Sequence, residues 1–271
     1  MSMIGWSNPD PRLPSDTHPV LAEATRAAGT AFRAARTAHS RARLAETGAV
    51  GADGTAAMRL DLLVEEPVAE VAAQHGLNLL SEEIGFVDRG SATTLVVDPV
   101  DGTANAAAGV PLSAFAATLV RDRTAVESLT CWFDTGRCWS ARRGERSPHR
   151  TSGRTELDGA AVDLLRPHER TADAWWRVAR RAGRIRVLST SCLEAALVAE
   201  GSVDAFLDAA SDTHRIVDLA AALVALPAAG GALLDLHGRD LDFDPDLTRR
   251  WSGIAAATPQ LAEQLAETAR G

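Results

Sequence analysis

The sequence predicts a mixed α/β chain in which short buried strands alternate with helices. Three observations carry that class. The β-branched run Leu95-Val96-Val97 reads as the end of a buried strand. Pro99 then keeps Asp98 out of the α region, and Asp101-Gly102-Thr103 opens onto the small-residue run 104–108, which reads as the first turns of a helix. Finally, 271 residues with 46% hydrophobic content suffice for a sizeable core, as one large domain or two small ones.

In chain order, residues 1–19 form a proline-rich, irregular arm. Residues 20–44 are alanine-rich with interspersed arginines and read as one long helix. Residues 48–55 are a glycine-rich turn. Residues 59–74 are a second helix with Leu60, Leu63, Val64, Val68 and Val71 on one face. Asp61 opens that helix, where the helix dipole alone would favour an acid. A short strand at 77–80 leads to Ser81-Glu82-Glu83, and 85–93 is a loop before the core strand. Residues 112–120 are a strand, and 129–133 and 137–141 form a hairpin around Asp134-Thr135-Gly136. The basic run 142–150 is a solvated turn or a source of positive charge for an anion. Residues 147–159 are a linker, 160–165 a strand, 168–183 a helix and 184–189 a strand. The turn Ser189-Thr190-Ser191-Cys192 opens a helix reaching Glu200. A strand follows over 201–208, and Asp218 opens a helix that stops at Gly230-Gly231. Residues 253–257 are the last strand and 259–269 the closing helix.

The corner at Asp98 holds two carboxylates beside the free N–H groups of a helix start. Carboxylates suit a hard cation such as Mg²⁺, and free N–H groups at a helix start suit phosphate. Together they imply metal-assisted phosphate chemistry. Competing motifs fail on spacing. Asp240-Leu-Asp242-Phe-Asp244-Pro-Asp246 lacks the glycine of a calcium loop, with Leu247 in the sixth place counted from Asp242. No Walker A string or paired-histidine zinc motif occurs. An aspartate-nucleophile phosphatase needs its second acid two residues on, and here the spacing is three.

Asp98-Pro-Val-Asp101-Gly-Thr103 resembles the signature of the inositol monophosphatase family, Mg²⁺-dependent and lithium-sensitive sugar phosphatases. Further segments agree in order: Asp61 before a Glu-rich helix, Ser81-Glu82-Glu83 for Gly-Glu-Glu, the 189–192 turn, Gly201-Ser-Val-Asp204-Ala, and Val217-Asp218 for Trp-Asp. The resemblance covers roughly 20–269. It implies a layered αβαβα sandwich combining α+β and α/β halves: 20–146 with a mainly antiparallel sheet and most metal ligands, and 160–271 with a mixed sheet and Asp218. It implies two to three Mg²⁺ ions on Glu82, Asp98, the Val100 carbonyl, Asp101 and Asp218. Glu82 and the pair Thr103 and Asp61 would be catalytic, the latter two orienting and deprotonating a water. The Gly102 and Thr103 amides would hold phosphate. Ser189, Thr190, Ser191 and Asp208 would touch substrate, with Asp212 a second candidate for the Asp208 role. Inositol 1-phosphate is the default substrate. Histidinol phosphate, 3′-phosphoadenosine 5′-phosphate, fructose bisphosphate and a specialised-metabolite ester are alternatives, as is a non-catalytic binding protein. A homodimer is implied as well.

The net charge of −8 and pI near 5.4 argue against nucleic acid or an anionic membrane as partner. Three cysteines without a C-x-x-C spacing, no signal peptide and no transmembrane run fit free thiols in a reducing cytoplasm.

Overall fold

A computed structural model describes residues 8–271. Its frame is two sheets and three layers of helix. The first sheet has six strands in the order β4-β3-β5-β6-β7-β8: β3 (Asn78–Ser81), β4 (Gly85–Val87), β5 (Thr93–Asp101), β6 (Ala114–Arg121), β7 (Thr124–Trp132) and β8 (Cys138–Arg142). Only β3 and β5 run parallel. The second sheet has five strands in the order β10-β9-β11-β13-β12: β9 (Ala161–Leu164), β10 (Arg184–Arg186), β11 (Ala205–Leu207), β12 (Ala232–Asp235) and β13 (Gly253–Ala256). It is parallel across β10, β9 and β11 and antiparallel beyond.

Helices α1 (Pro19–Ala38) and α3 (Arg59–Gln74) cover the outer face of the first sheet. Leu21, Phe32, Leu60, Val64 and Val68 pack there against Leu79, Leu95, Phe115 and Leu129. Helices α5 (Ala172–Ala179) and α9 (Pro259–Arg270) cover the outer face of the second. Between the sheets lie α6 (Ser191–Ala199), α7 (Ile216–Leu219) and α8 (Ala222–Ala229). Val217, Leu219 and Val224 pack onto Leu80, Val96 and Val120 of the first sheet, while Val198 and Leu226 pack onto Phe206 and Ala255 of the second. Helices facing sheets on both sides must be apolar all round, as α8 is and as α6 is apart from the buried Glu194. This is the expected αβαβα sandwich.

Several expectations change in detail. The helix expected over 20–44 breaks at His39, whose backbone is extended. Ser40 then caps a separate turn, α2 (Arg41–Leu44), by accepting from the Arg43 N–H at 3.3 Å. The stretch expected as a plain turn at 48–55 is mostly hairpin: β1 (Thr47–Val50) pairs with β2 (Ala56–Met58). Asp53 closes its loop, accepting from the Thr55 N–H at 2.8 Å and the Thr55 hydroxyl at 2.7 Å. The helix expected over 168–183 shrinks to α5 preceded by a 3₁₀ turn at Glu169–Thr171. Strand β12 and, in the stretch expected as a loop at 85–93, strand β4 were not foreseen, because runs of three or four residues at a sheet edge carry little periodic signal. Part of the expected irregular arm, 1–7, lies outside the described residues.

Candidate active site

The site forms where β5 turns into α4 (Thr103–Ala108). The β5–β6 ladder is regular to Asp98, then shifts register between Asp98 and Asp101, as Pro99 cannot donate to it. Gly102 follows with φ +79°, and a Cβ there would lie 2.7 Å from the Leu112 carbonyl oxygen, so the corner accepts only glycine. Asn105 ties the corner down, donating to the Leu112 and Leu188 carbonyls at 3.1 and 2.8 Å.

A cleft of about 390 Å³ opens above the corner, lined by the acids Asp61, Glu82, Glu83, Asp98, Asp101 and Asp218. Asp98 is 2% exposed and its Oδ1 has no hydrogen-bond partner. Burial, then Glu82, Asp101 and Asp218, push the Asp98 carboxyl well above the carboxylate range. Burial pushes Asp101 up to about 6, although the Thr190 hydroxyl and the Leu193 N–H (3.0 Å) donate to its Oδ2. Thr190 is itself held by Glu194, which accepts its N–H at 3.0 Å. Glu82 leaves the end of β3 in a turn shaped by Glu65 of α3, which accepts the Glu83 and Ile84 N–H groups at 3.0 and 3.1 Å. Burial pushes Glu83 up to about 7, with Glu82 and Glu65 adding to it.

The Thr103 hydroxyl lies 2.7 Å from Asp61 Oδ1 and 2.8 Å from the Val100 carbonyl. A hydroxyl has one proton, so both contacts are hydrogen bonds when Asp61 carries a proton of its own. Burial and the nearby Glu82 push the Asp61 carboxyl up in that direction.

Acids converging in a buried cleft repel one another, and an oxygen such as Asp98 Oδ1, buried without a donor, calls for a cation. Asp98, Asp101 and Cys192 place ligand-type atoms within 4.8 Å of one another. The donor set is mostly carboxylate oxygen, the chemistry of a hard divalent ion. The residues therefore fit a metal.

The structure brings ten of the expected site residues to one cleft: Asp61, Glu82, Asp98, Val100, Asp101, Gly102, Thr103, Ser189, Ser191 and Asp218 line it. Ser189 holds φ +60°, a conformation that favours glycine. Three expectations are corrected. Thr190 is buried and bonded to Asp101, so it supports a carboxylate and does not face the cleft. Asp208 is fully buried and turned inward; it accepts from the Ser211 N–H (2.8 Å), the Ser211 hydroxyl and the Thr213 N–H (2.8 Å). Asp212 pairs with Arg239 at 2.6 Å and with the Ser252 hydroxyl at 2.9 Å. The basic run 142–150 lies outside the cleft lining, with Arg142 paired to Glu127 at 3.2 Å and Arg143 donating to the Ala125 carbonyl.

Sequence reasoning missed Arg215, His214 and Asp53. The Arg215 guanidinium spans Asp218 (3.1 Å), Asp53 (3.0 Å) and Glu82. Burial opposes ionisation of Asp218, but Arg215 outweighs it and holds that carboxyl low. Two signals were available: the i,i+3 spacing of Arg215 and Asp218 at a helix start, and the string Asp53-Gly54-Thr55, which repeats Asp101-Gly102-Thr103. His214 accepts the Gly253 N–H on Nδ1 at 3.1 Å and leaves Nε2 without a partner. All three cysteines are free thiols, as expected.

Comparison with known proteins agrees with this geometry. The inositol monophosphatase family model matches residues 16–271. A fructose-1,6-bisphosphatase/inositol-1-monophosphatase of Thermococcus kodakarensis is 28% identical over 229 residues, covering 82% of this chain and 86% of its own. A bifunctional NADP phosphatase/NAD kinase of Methanococcus maripaludis is 28% identical over 78% of this chain and 42% of its own. In fold, the chain is similar to the extragenic suppressor protein suhB of Bartonella henselae, with TM-score 0.78 and 23% identity over 93% of this chain and 97% of that one. No helix among the described residues is long and apolar enough to cross a membrane. The chain belongs to the inositol monophosphatase family and is a phosphoric monoester hydrolase.

Proposed function

We propose that the chain hydrolyses a small sugar or polyol phosphate with Mg²⁺, two to three ions being held by Glu82, Asp98, the Val100 carbonyl, Asp101 and Asp218. The carrying observation is the buried, partnerless Asp98 Oδ1 among five other cleft acids, Asp61, Glu82, Glu83, Asp101 and Asp218. When bound, the cations supply charge neutralisation of the phosphoryl oxygens and an acidified water. The chain's residues do the rest. The Gly102 and Thr103 amides at the start of α4 offer donors to phosphate. The Thr103 hydroxyl, fixed against Asp61, orients the attacking water, whose proton Asp61 would take once bound cations offset the neighbouring acids and leave its carboxyl ionised. Ser189 and Ser191, at the cleft wall, hydrogen-bond the leaving group. The test is phosphate release from a panel of phosphate esters with Mg²⁺ and with EDTA. Release that is Mg²⁺-dependent supports the reading, and equal release without metal overturns it.

A second observation narrows the substrate. Arg166 and His168, in the loop after β9, line the cleft, whereas Asp208 and Asp212 are turned away from it. A leaving group facing that wall meets positive charge in place of acids that would accept its hydroxyls. We infer a substrate with a second anionic group, such as a sugar bisphosphate. The names of the relatives, one a fructose-1,6-bisphosphatase and one an NADP phosphatase, support this class. The family resemblance also supports a cytoplasmic homodimer inhibited by Li⁺. Sedimentation and a Li⁺ titration near half-saturating Mg²⁺ check the dimer and the inhibition.

A further inference from the structure

Arg215 places a guanidinium among acids from three separate parts of the chain. Its Nη1 donates to Glu82, in the turn after β3, and at 3.0 Å to Asp53 Oδ2, in the β1–β2 loop. Its Nε and Nη2 donate to the two oxygens of Asp218 at 3.2 and 3.1 Å. The Arg215 backbone N–H adds a bond to Asp218 Oδ2 at 2.6 Å across the first turn of α7. The side chain is 15% exposed, so water screens these contacts poorly. A guanidinium does not lose its proton, and its fork matches a carboxylate on two bonds at once.

The acid cluster is thereby divided. Glu82 and Asp218 already have a positive partner. Among the described residues Asp98 and Asp101 make no ion pair: Asp98 Oδ1 is partnerless and feels Arg215 only through space, and Asp101 is served by a hydroxyl and amide N–H groups. A divalent cation that takes oxygens of Glu82 or Asp218 competes with the guanidinium for the same lone pairs. One that takes Asp98 and Asp101 does not.

We propose that Arg215 is a built-in counter-ion that weakens divalent-cation binding at Glu82 and Asp218, and that a cation entering there displaces the guanidinium. Asp53, its third partner, is outside the proposed ligand set and keeps hold of it. The proposal rests on the reading of the cleft as a cation site. It gives the chain two classes of cation affinity, the tighter centred on Asp98 and Asp101 and the weaker on Asp218.

The test uses the full chain, with Mn²⁺ as probe and bound ions counted from the electron paramagnetic resonance signal of the free ion. Wild type should show two affinity classes. Arg215→Gln should tighten the weaker class by about tenfold or more, the equivalent of a modest buried ion pair, and move the tighter class less. Arg215→Lys, which keeps the charge, should stay closer to wild type. An independent reading needs no variant: in ¹⁵N-labelled wild type, the Arg215 Nε–H resonance should shift as Mg²⁺ fills the weaker class. A single affinity class in wild type, a weaker class unmoved or loosened by Arg215→Gln, or an Arg215 resonance unmoved at saturating Mg²⁺ overturns the proposal while leaving the cation site standing. Absence of Mn²⁺ binding to wild type and variants alike overturns both.

Discussion

Asp98 and Asp208 occupy comparable places in the two sheets. Each is buried, and each lies at the C-terminal end of an interior strand, β5 or β11. Their oxygens are treated differently. Both oxygens of Asp208 are capped by donors from the five residues that follow it. Asp98 has an oxygen with no donor at all and three further acids near it. Burial is common to both, so burial does not mark an acid as available to a ligand. Hydrogen-bond satisfaction does: the capped acid builds a loop, and the uncapped one has an oxygen that a cation would satisfy.

The largest effect that tests this contrast is on catalysis. Asp98→Asn keeps the shape and removes one charge, and it should lower kcat/KM with Mg²⁺ by about 10²-fold or more. In EDTA the same variant should melt at or above the wild-type temperature, because a buried repulsion is gone. A variant with near-normal turnover would remove Asp98 from the site. Asp208→Ala should show the opposite profile. It strands the buried Ser211 and Thr213 N–H groups and should cost about 2–4 kcal/mol in chemical denaturation, at about 1–3 kcal/mol for each unmet group with partial compensation. Loss of turnover without loss of stability would return Asp208 to the substrate wall.

Smaller effects sharpen the picture of the rest of the cleft. Arg166→Ala should lower kcat/KM for a sugar bisphosphate by about three- to tenfold and leave a monophosphate nearly unchanged, as an exposed charge acts weakly. Equal loss on both would place Arg166 at the scissile phosphate. Glu194, behind Thr190, gives a pH signature. Burial, then Asp163 and Asp101, raise its carboxyl well above the ordinary 4.5, and its Oε1 has no partner. A raised folded-state value means the folded chain holds this proton more tightly. The penalty for ionising Glu194 is therefore absent below 4.5 and grows as pH rises above it. Thermal melts of Glu194→Gln against wild type should accordingly separate in the variant's favour from acid to neutral pH. A pH-independent difference would contradict the assignment.

How much was legible in the sequence follows from the kind of interaction involved. The corner at Asp98 and α3 were readable because strand runs, proline and glycine restrict the backbone locally, whereas the layers came from the family resemblance. The match over 16–271 to one family agrees with that reading. Asp208 was misplaced because a strand-end acid looks the same in sequence whether it faces a cleft or caps its own loop; Ser211 and Thr213, which decide it, are equally common in solvent. Arg215 was missed because its meaning depends on Asp53 and Glu82, which lie 162 and 133 residues away. The 20–44 helix failed at Ser40 for a local reason, since alanine-rich propensity does not register a serine that caps a new turn.

If hydrogen-bond satisfaction decides which acid meets a ligand, the uncapped Asp98, and not the capped Asp208, holds the cation. Titration calorimetry of Mn²⁺ into wild type, Asp98→Asn and Asp208→Asn tests it directly. Wild type and Asp208→Asn should bind with similar stoichiometry and affinity, and Asp98→Asn should lose the tight binding. Wild-type binding by Asp98→Asn, or its loss in a folded Asp208→Asn, would contradict it.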